Sequence, residues 1–250
     1  VTRRVARSLP RFFIEGTRSV GEEVALDEPD ARKIRLVLRL RDGDSIETVD
    51  SAGAAYRGVL SFAGDSARAY LAEAIARVSE PALRIVLAQG IPKGQKMDFV
   101  VEKITEIGVA GIVPFFSARS IGERVGAAKV ERWRRLARSA AQQSGRRSVP
   151  GVEDPLAWEA LLDRLAGFDR VLVAWEVAQH GALLERLASW LTDVRSVAVV
   201  IGPEGGLTHA EVDAAAARGA EVISLGPRIL RTETAGLVAC TALLLAAGEM

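Results

Sequence analysis

The chain has 250 residues, 33 Lys or Arg against 32 Asp or Glu, and an apolar fraction of 49%. That length holds one large domain or two modest ones, that apolar content fills a core, and near-neutral charge gives composition alone no case for a polyanionic partner. One cysteine, Cys240, and two scattered histidines, His180 and His209, exclude an internal disulfide and argue against a metal cluster. The longest nearly apolar run, residues 237–247, is far below the roughly 20 residues that cross a bilayer, and the Arg-rich start lacks an apolar signal segment. The expectation is a cytoplasmic chain with no membrane and no metal.

Positive charge is nevertheless unevenly spread. Residues 1–11 hold Arg3, Arg4, Arg7 and Arg11 with no acid, and residues 119–147 hold nine Lys or Arg against Glu123 and Glu131. Such clusters can track phosphates; the solvated face of an ordinary helix is the blander reading for any one of them. Up to about residue 72, short extended runs ("RFFIEG", "EVAL", "DSIETVD", "YRGVLSF", "ARAYLAEA") are separated by Gly, Asp and Pro, the pattern of a small β-barrel. One helical patch interrupts them over 30–41, with Ile34, Val37 and Leu38 opposed to Arg32, Arg35, Arg39 and Arg41.

From about residue 82 the texture changes. Apolar runs ("LRIVLAQG", "GIVPFF", "RVLVAW", "SVAVVIG", "EVISLG") alternate with helical stretches at 95–107, 127–145, 155–166, 182–191, 209–218 and from 234 onward. Alternation of this kind predicts an α/β domain with a parallel sheet. "VSEPAL", residues 78–83, reads as a short hinge, and the division is set at 1–74 and 75–250.

In open parallel sheets, ligands settle beyond the carboxyl ends of the strands. Two loops have that position here: "IGPEGG" after "SVAVV", and "LGPRILRTETA", residues 225–235, after "EVIS". Neither is a P-loop or a GxGxxG turn, and Glu204 in the first would repel a polyphosphate while tolerating a cationic ligand. Gly202, Gly205 and Gly206 permit close backbone approach, Pro203 and Pro227 stiffen the turns, and "LTHAE" predicts a helix cap with Thr208 and Glu211.

"IGPEGGLTHAE" followed by "LGPRILRTETA" resembles the signature of the RsmE family, SPOUT-superfamily enzymes that methylate N3 of a uridine in 16S ribosomal RNA. The resemblance covers nearly the whole chain: "RFF", "VLRLRDGD", "KMDFVVEKITEIGV", "PFFSARS" and "RWRRLARSAAQQSGRRSVP" stand in the same order. It implies a PUA-like RNA-binding barrel followed by an α/β methyltransferase domain with a deep trefoil knot, which spacing alone never predicts because chains do not ordinarily thread themselves. It further implies a homodimer, S-adenosylmethionine as cofactor, and 16S rRNA in the assembled small ribosomal subunit as partner. Another RNA, such as a tRNA 2′-hydroxyl, and a non-catalytic ribosome-assembly protein of the same fold are the alternatives.

Carried over residue by residue, the resemblance assigns Gly202, Pro203, Glu204, Gly205 and Gly206 to one wall of the donor site. Leu225, Gly226, Ile229 and Leu230 form another, with Thr234 and Ala235 beside them, and the "AWE" stretch from Ala174 to Glu176 a third. Methyl transfer is an in-line displacement, so placement of the nucleophile dominates. Arg231 is the candidate for stabilising charge on the uracil oxygens as N3 loses its proton, a structural pairing with Glu233 being the alternative. Thr232 or Glu233 is a candidate to orient the base or relay that proton. RNA contacts are expected from Arg3, Arg4, Arg7, Arg11, Arg35 and Arg39 and from Arg134, Arg138 and Arg146. Two positions depart from the family pattern: Lys33 stands where histidine is common, and Ser139 where glutamate is usual.

Overall fold

The computed structural model describes residues 9–76, 80–120, 125–178 and 193–250. It divides into two compact units, one of residues 1–80 with 141–148, the other of residues 81–140 with 149–250. The division thus falls after Glu80 rather than at residue 75, and a segment far along the chain joins the first unit.

The first unit is built on a five-stranded sheet: β1 (Arg11–Phe13), β2 (Glu23–Ala25), β3 (Ser45–Val49), β4 (Ala55–Ala63) and β5 (Ser66–Ile75), in spatial order β1-β3-β4-β5-β2. β1 runs parallel to β3, with Phe12 opposite Thr48, and the other pairs are antiparallel. Phe12, Ile46, Leu60 and Leu71 fill its core together with Ile34 from the helical patch. That patch is α1 (Glu28–Arg32), capped by Asp27, whose carboxylate accepts from Asp30 N at 2.8 Å; it continues as a π-helical turn, Lys33–Leu38. It stops at Arg39, which takes the left-handed conformation at φ 54°.

Residues 141–148 are held to this unit by polar contacts. Gln142 Nε2 donates to Asp30 Oδ1 at 3.1 Å while Lys33 Nζ donates to Gln142 Oε1 at 2.8 Å. Arg11 Nη1 donates to the Arg146 carbonyl at 2.7 Å, and Arg147 Nε to the Gly53 carbonyl at 2.6 Å. Glu80 receives Arg146 Nη2 at 2.6 Å and the amides of Arg147 and Ser148.

The second unit carries β6 (Arg84–Gly90), β7 (Gly111–Phe116), β8 (Gly151–Val152), β9 (Leu156–Ala157), β10 (Arg170–Ala174), β11 (Ser196–Ile201) and β12 (Glu221–Ile223). Their order is β12-β10-β11-β6-β7-β8, with β9 also on β7, and every pairing is parallel. Leu87, Val199 and Ile201 face one side, against α2 (Lys96–Ile107), α3 (Ala127–Ser144) and α6 (Thr232–Ala246). Ala88, Ala198 and Val200 face the other, against α4 (Trp158–Leu165) and α5 (His209–Ala217). Burial on both faces explains why these strands read as unbroken apolar runs.

Helix limits shift where tertiary contacts intervene. The stretch expected to be helical from 155 begins at Trp158, because Leu156 and Ala157 pair with Phe115 and Phe116. The last helix starts at Thr232, two residues early. The helix expected over 182–191 lies outside the described residues. Cys240 is fully buried, which pushes its thiol up to about 12 and leaves it a core residue. Among the described residues no helix is long and apolar enough to cross a membrane.

Burial acts to raise the Glu80 carboxyl, yet Arg146 and the two amides outweigh it and hold it below the ordinary glutamate value. A depressed folded value stabilises the fold above the unfolded pKa, and that stabilisation is lost as pH falls through the folded value. Glu80→Gln should therefore cost about 2 kcal/mol at pH 7, with the gap to the parent chain closing below about pH 4, as read by urea denaturation across pH.

Candidate functional site

Three strands of the second unit end at one level: Ala174 of β10 is in register with both Ile201 of β11 and Ile223 of β12. Their loops leave together and enclose a cavity of about 490 Å³. Ala174, Trp175 and Glu176 form one wall, Gly202, Pro203, Glu204, Gly206 and Leu207 a second, and Ser224 to Glu233 with Ala235 a third; Lys96 enters from α2. The volume lies within the roughly 300–1,000 Å³ typical of small-molecule sites.

Backbone contact shapes the second wall. A Cβ on Gly90 would lie 2.5 Å from Pro203 N and 2.8 Å from the Gly202 carbonyl carbon, so the end of β6 and the loop after β11 meet with no room for a side chain. Gly206 is at φ +70°, and a Cβ there would come 2.6 Å from Glu176 Oε1. The following helix has the expected capping box: Thr208 Oγ1 accepts from Glu211 N at 3.2 Å, and Glu211 Oε2 from Thr208 N at 2.8 Å. The other oxygen of buried Glu211 accepts from Ala118 N at 2.7 Å and so ties in the loop after β7. His209 meets the Trp175 ring edge to face at 4.8 Å between centroids.

Thr232, at the start of α6, donates its hydroxyl to the Gly202 carbonyl at 2.6 Å and receives Gln89 Nε2 at 2.8 Å. Its one hydroxyl proton is thus engaged at the Gly202 carbonyl.

Glu204 accepts from Lys96 Nζ at 2.8 Å and from the Lys93 amide at 3.1 Å. Burial acts to raise the Glu204 carboxyl, but these partners bring it below its ordinary value, and the same hydrogen bond raises Lys96. Lys96 also lies 3.8 Å from Glu233 Oε2, an oxygen that is buried and makes no hydrogen bond. Arg231 is the N-cap of α6, its carbonyl accepting from Thr234 N and Ala235 N, and its exposed side chain stands at the cavity wall. Among the described residues it forms no ion pair with Glu233.

Of the expected donor-site residues, all but Gly205 and Thr234 line the cavity. Gly205 instead faces Arg119, whose Cβ is 3.1 Å from where its own would be, and Thr234 is exposed on α6. Lys96, Thr232, Glu233 and Ser224 are wall residues that the donor-site assignment omitted; Lys96 sits in "KMDFVVEK", whose resemblance to the family was the available signal.

The arginines expected at RNA need correction. Arg11 is buried, 2.7 Å from Glu47 and bonded to the Arg146 carbonyl, and Arg146 is buried against Glu80; neither is displayed for a phosphate. Arg35 and Arg39 are both exposed, Arg35 lying beside Asp65 and over the Phe62 ring. In the second unit Arg134 is exposed but bonded to Glu131 and Asp154, and Arg138 is half-buried. Arg3, Arg4 and Arg7 lie outside the described residues. Among the described residues no group of three His, Cys, Asp or Glu side chains could hold a metal ion.

A model of the RNA methyltransferase domain family matches residues 79–244. A Bacillus subtilis protein named ribosomal RNA small subunit methyltransferase E is 35% identical over 245 residues, spanning 94% of this chain and 96% of that protein. The chain belongs to the ribosomal RNA small subunit methyltransferase E family. Two solved structures are similar throughout. The methyltransferase E of Neisseria gonorrhoeae, bound to S-adenosyl methionine, is 32% identical with a TM-score of 0.82, covering 95% of this chain and 97% of that one. A putative methyltransferase from Legionella pneumophila, in complex with the bound cofactor SAM, is 27% identical with a TM-score of 0.86, covering 96% and 98%.

The Gly90 contact predicts its own test. Its neighbours are backbone and a proline ring, which cannot swing aside, so Gly90→Ala should destabilise the chain by about 2–3 kcal/mol in a urea titration.

Proposed function

We propose that this methyltransferase E chain transfers a methyl group from S-adenosylmethionine to N3 of a uridine in 16S ribosomal RNA. The observation that carries the reading is the cavity formed where three loops leave β10, β11 and β12 together, in a chain whose similar structures from Neisseria and Legionella hold that donor. The residues present fit such a molecule. Leu225, Leu230 and Ala235 supply apolar surface for an adenine ring, glycine-rich corners bring backbone close, and carboxylates at Glu176 and Glu233 favour a cation.

When bound, the donor supplies a methyl group on a positively charged sulfur. The chain's own task is to hold the uracil in line with it and exclude water. Arg231, whose side chain is not committed to Glu233, stabilises negative charge spreading over the uracil oxygens as N3–H is lost. With the Thr232 proton engaged at Gly202, Glu233 Oε2, which makes no hydrogen bond, is one wall oxygen with unused capacity to accept a proton.

The same reading makes the first unit a PUA-like RNA-binding module and the second a trefoil-knotted domain that dimerises and acts on the assembled small subunit. Exposed Arg39, Arg41 and Arg135 are the better candidates for phosphate contacts.

Nucleosides from small-subunit RNA of a strain lacking the gene should be missing N3-methyluridine, restored by the wild-type chain; a missing 2′-O-methyl mark in tRNA instead would redirect the acceptor. Arg231→Ala should keep the donor Kd within about threefold and lower kcat about a hundredfold. Loss of both together would make Arg231 structural.

A further inference from the structure

We infer that Gln89, acting through Thr232, is a positioning residue that sets the Gly202 carbonyl, and with it the Gly202–Pro203 corner, before the methyl donor arrives. The inference rests on the donor-site reading above.

Hydrogen-bond direction along this set is determined. A carbonyl oxygen has no proton to give, so at 2.6 Å the Thr232 hydroxyl donates to Gly202. The hydroxyl has one proton, so in its 2.8 Å contact with Gln89 Nε2 it accepts. The second proton of Nε2 goes to the Gly90 carbonyl at 3.0 Å. If the amide were flipped, Oε1 would compete with Gly202 for the single threonine proton.

Gln89 is fully buried, and its Oε1 makes no hydrogen bond. A stranded buried oxygen costs free energy that an apolar side chain of similar length would avoid. What the glutamine offers in exchange is its NH₂ group, which joins the end of β6 to the first turn of α6 and, through it, to the loop after β11. Gly202 and Thr232 line the cavity, whereas Gln89 stands behind them. Ordering these three segments in advance removes that cost from donor binding.

The test uses the full chain and calorimetric titration with S-adenosylmethionine and with S-adenosylhomocysteine, which lacks the sulfonium. Thr232→Val should weaken both about tenfold, while Thr232→Ser, which keeps the hydroxyl, should stay within about threefold of the parent. Gln89→Met should weaken binding about fivefold in the parent but less than twofold when added to Thr232→Val, where the connection is already cut. Thermal melts run alongside, because a purely structural role predicts affinity losses that follow the melting temperature for Ser and Val alike. If Thr232→Val does not fold, Gln89→Met with Thr232→Ser as control decides the matter. Parent-like affinity in the variants, or equal loss for Ser and Val, would overturn the positioning role while leaving the donor site standing. A parent chain that binds neither compound would overturn both.

Discussion

The cavity depends on a backbone contact. Gly90, at the end of β6, lies against the peptide joining Gly202 to Pro203, at a distance no side chain on residue 90 would allow. Because β6 and β11 are neighbouring parallel strands, that contact fixes where the first loop turns. β10 and β12 end level with β11, so the remaining walls rise from the same height. A sheet buried on both faces has no freedom to slide, and its carboxyl-end loops inherit that rigidity.

Charge within the cavity follows from the same packing. Glu204, from its sequence alone, looks like the carboxylate offered to a cationic ligand. Folding brings Lys96 from α2 onto it and adds the Lys93 amide, so its charge is already met. Glu233 keeps an oxygen without a hydrogen bond, at the longer distance from the same lysine. Glu204 is thus the more fully compensated of the two, and Glu176 adds a further carboxylate to the cavity wall.

Arginine-rich stretches show how poorly charge density in sequence reports surface charge. Arg11 and Arg146 belong to clusters that suggest a phosphate-binding face, yet both are consumed internally, where Glu47 and Glu80 meet them. Lys33, a departure from the family pattern, has a similar fate through Gln142. These partners stand dozens of positions apart in the chain, and in the case of Lys33 and Gln142 over a hundred, beyond any local periodicity.

The sequence by itself determined the parallel α/β class of the second unit, the strands of the first, and the two glycine-proline loops. Each rests on local physics: apolar periodicity, turn chemistry and the capping pair Thr208 and Glu211, all acting within a few residues. Tertiary structure alone decided that residues 141–148 join the first unit, that Lys96 neutralises Glu204, and that Thr232 is bonded to Gly202. Those outcomes depend on distances between residues remote in the chain, and hydrogen bonds and ion pairs only a few ångströms long leave no trace in spacing.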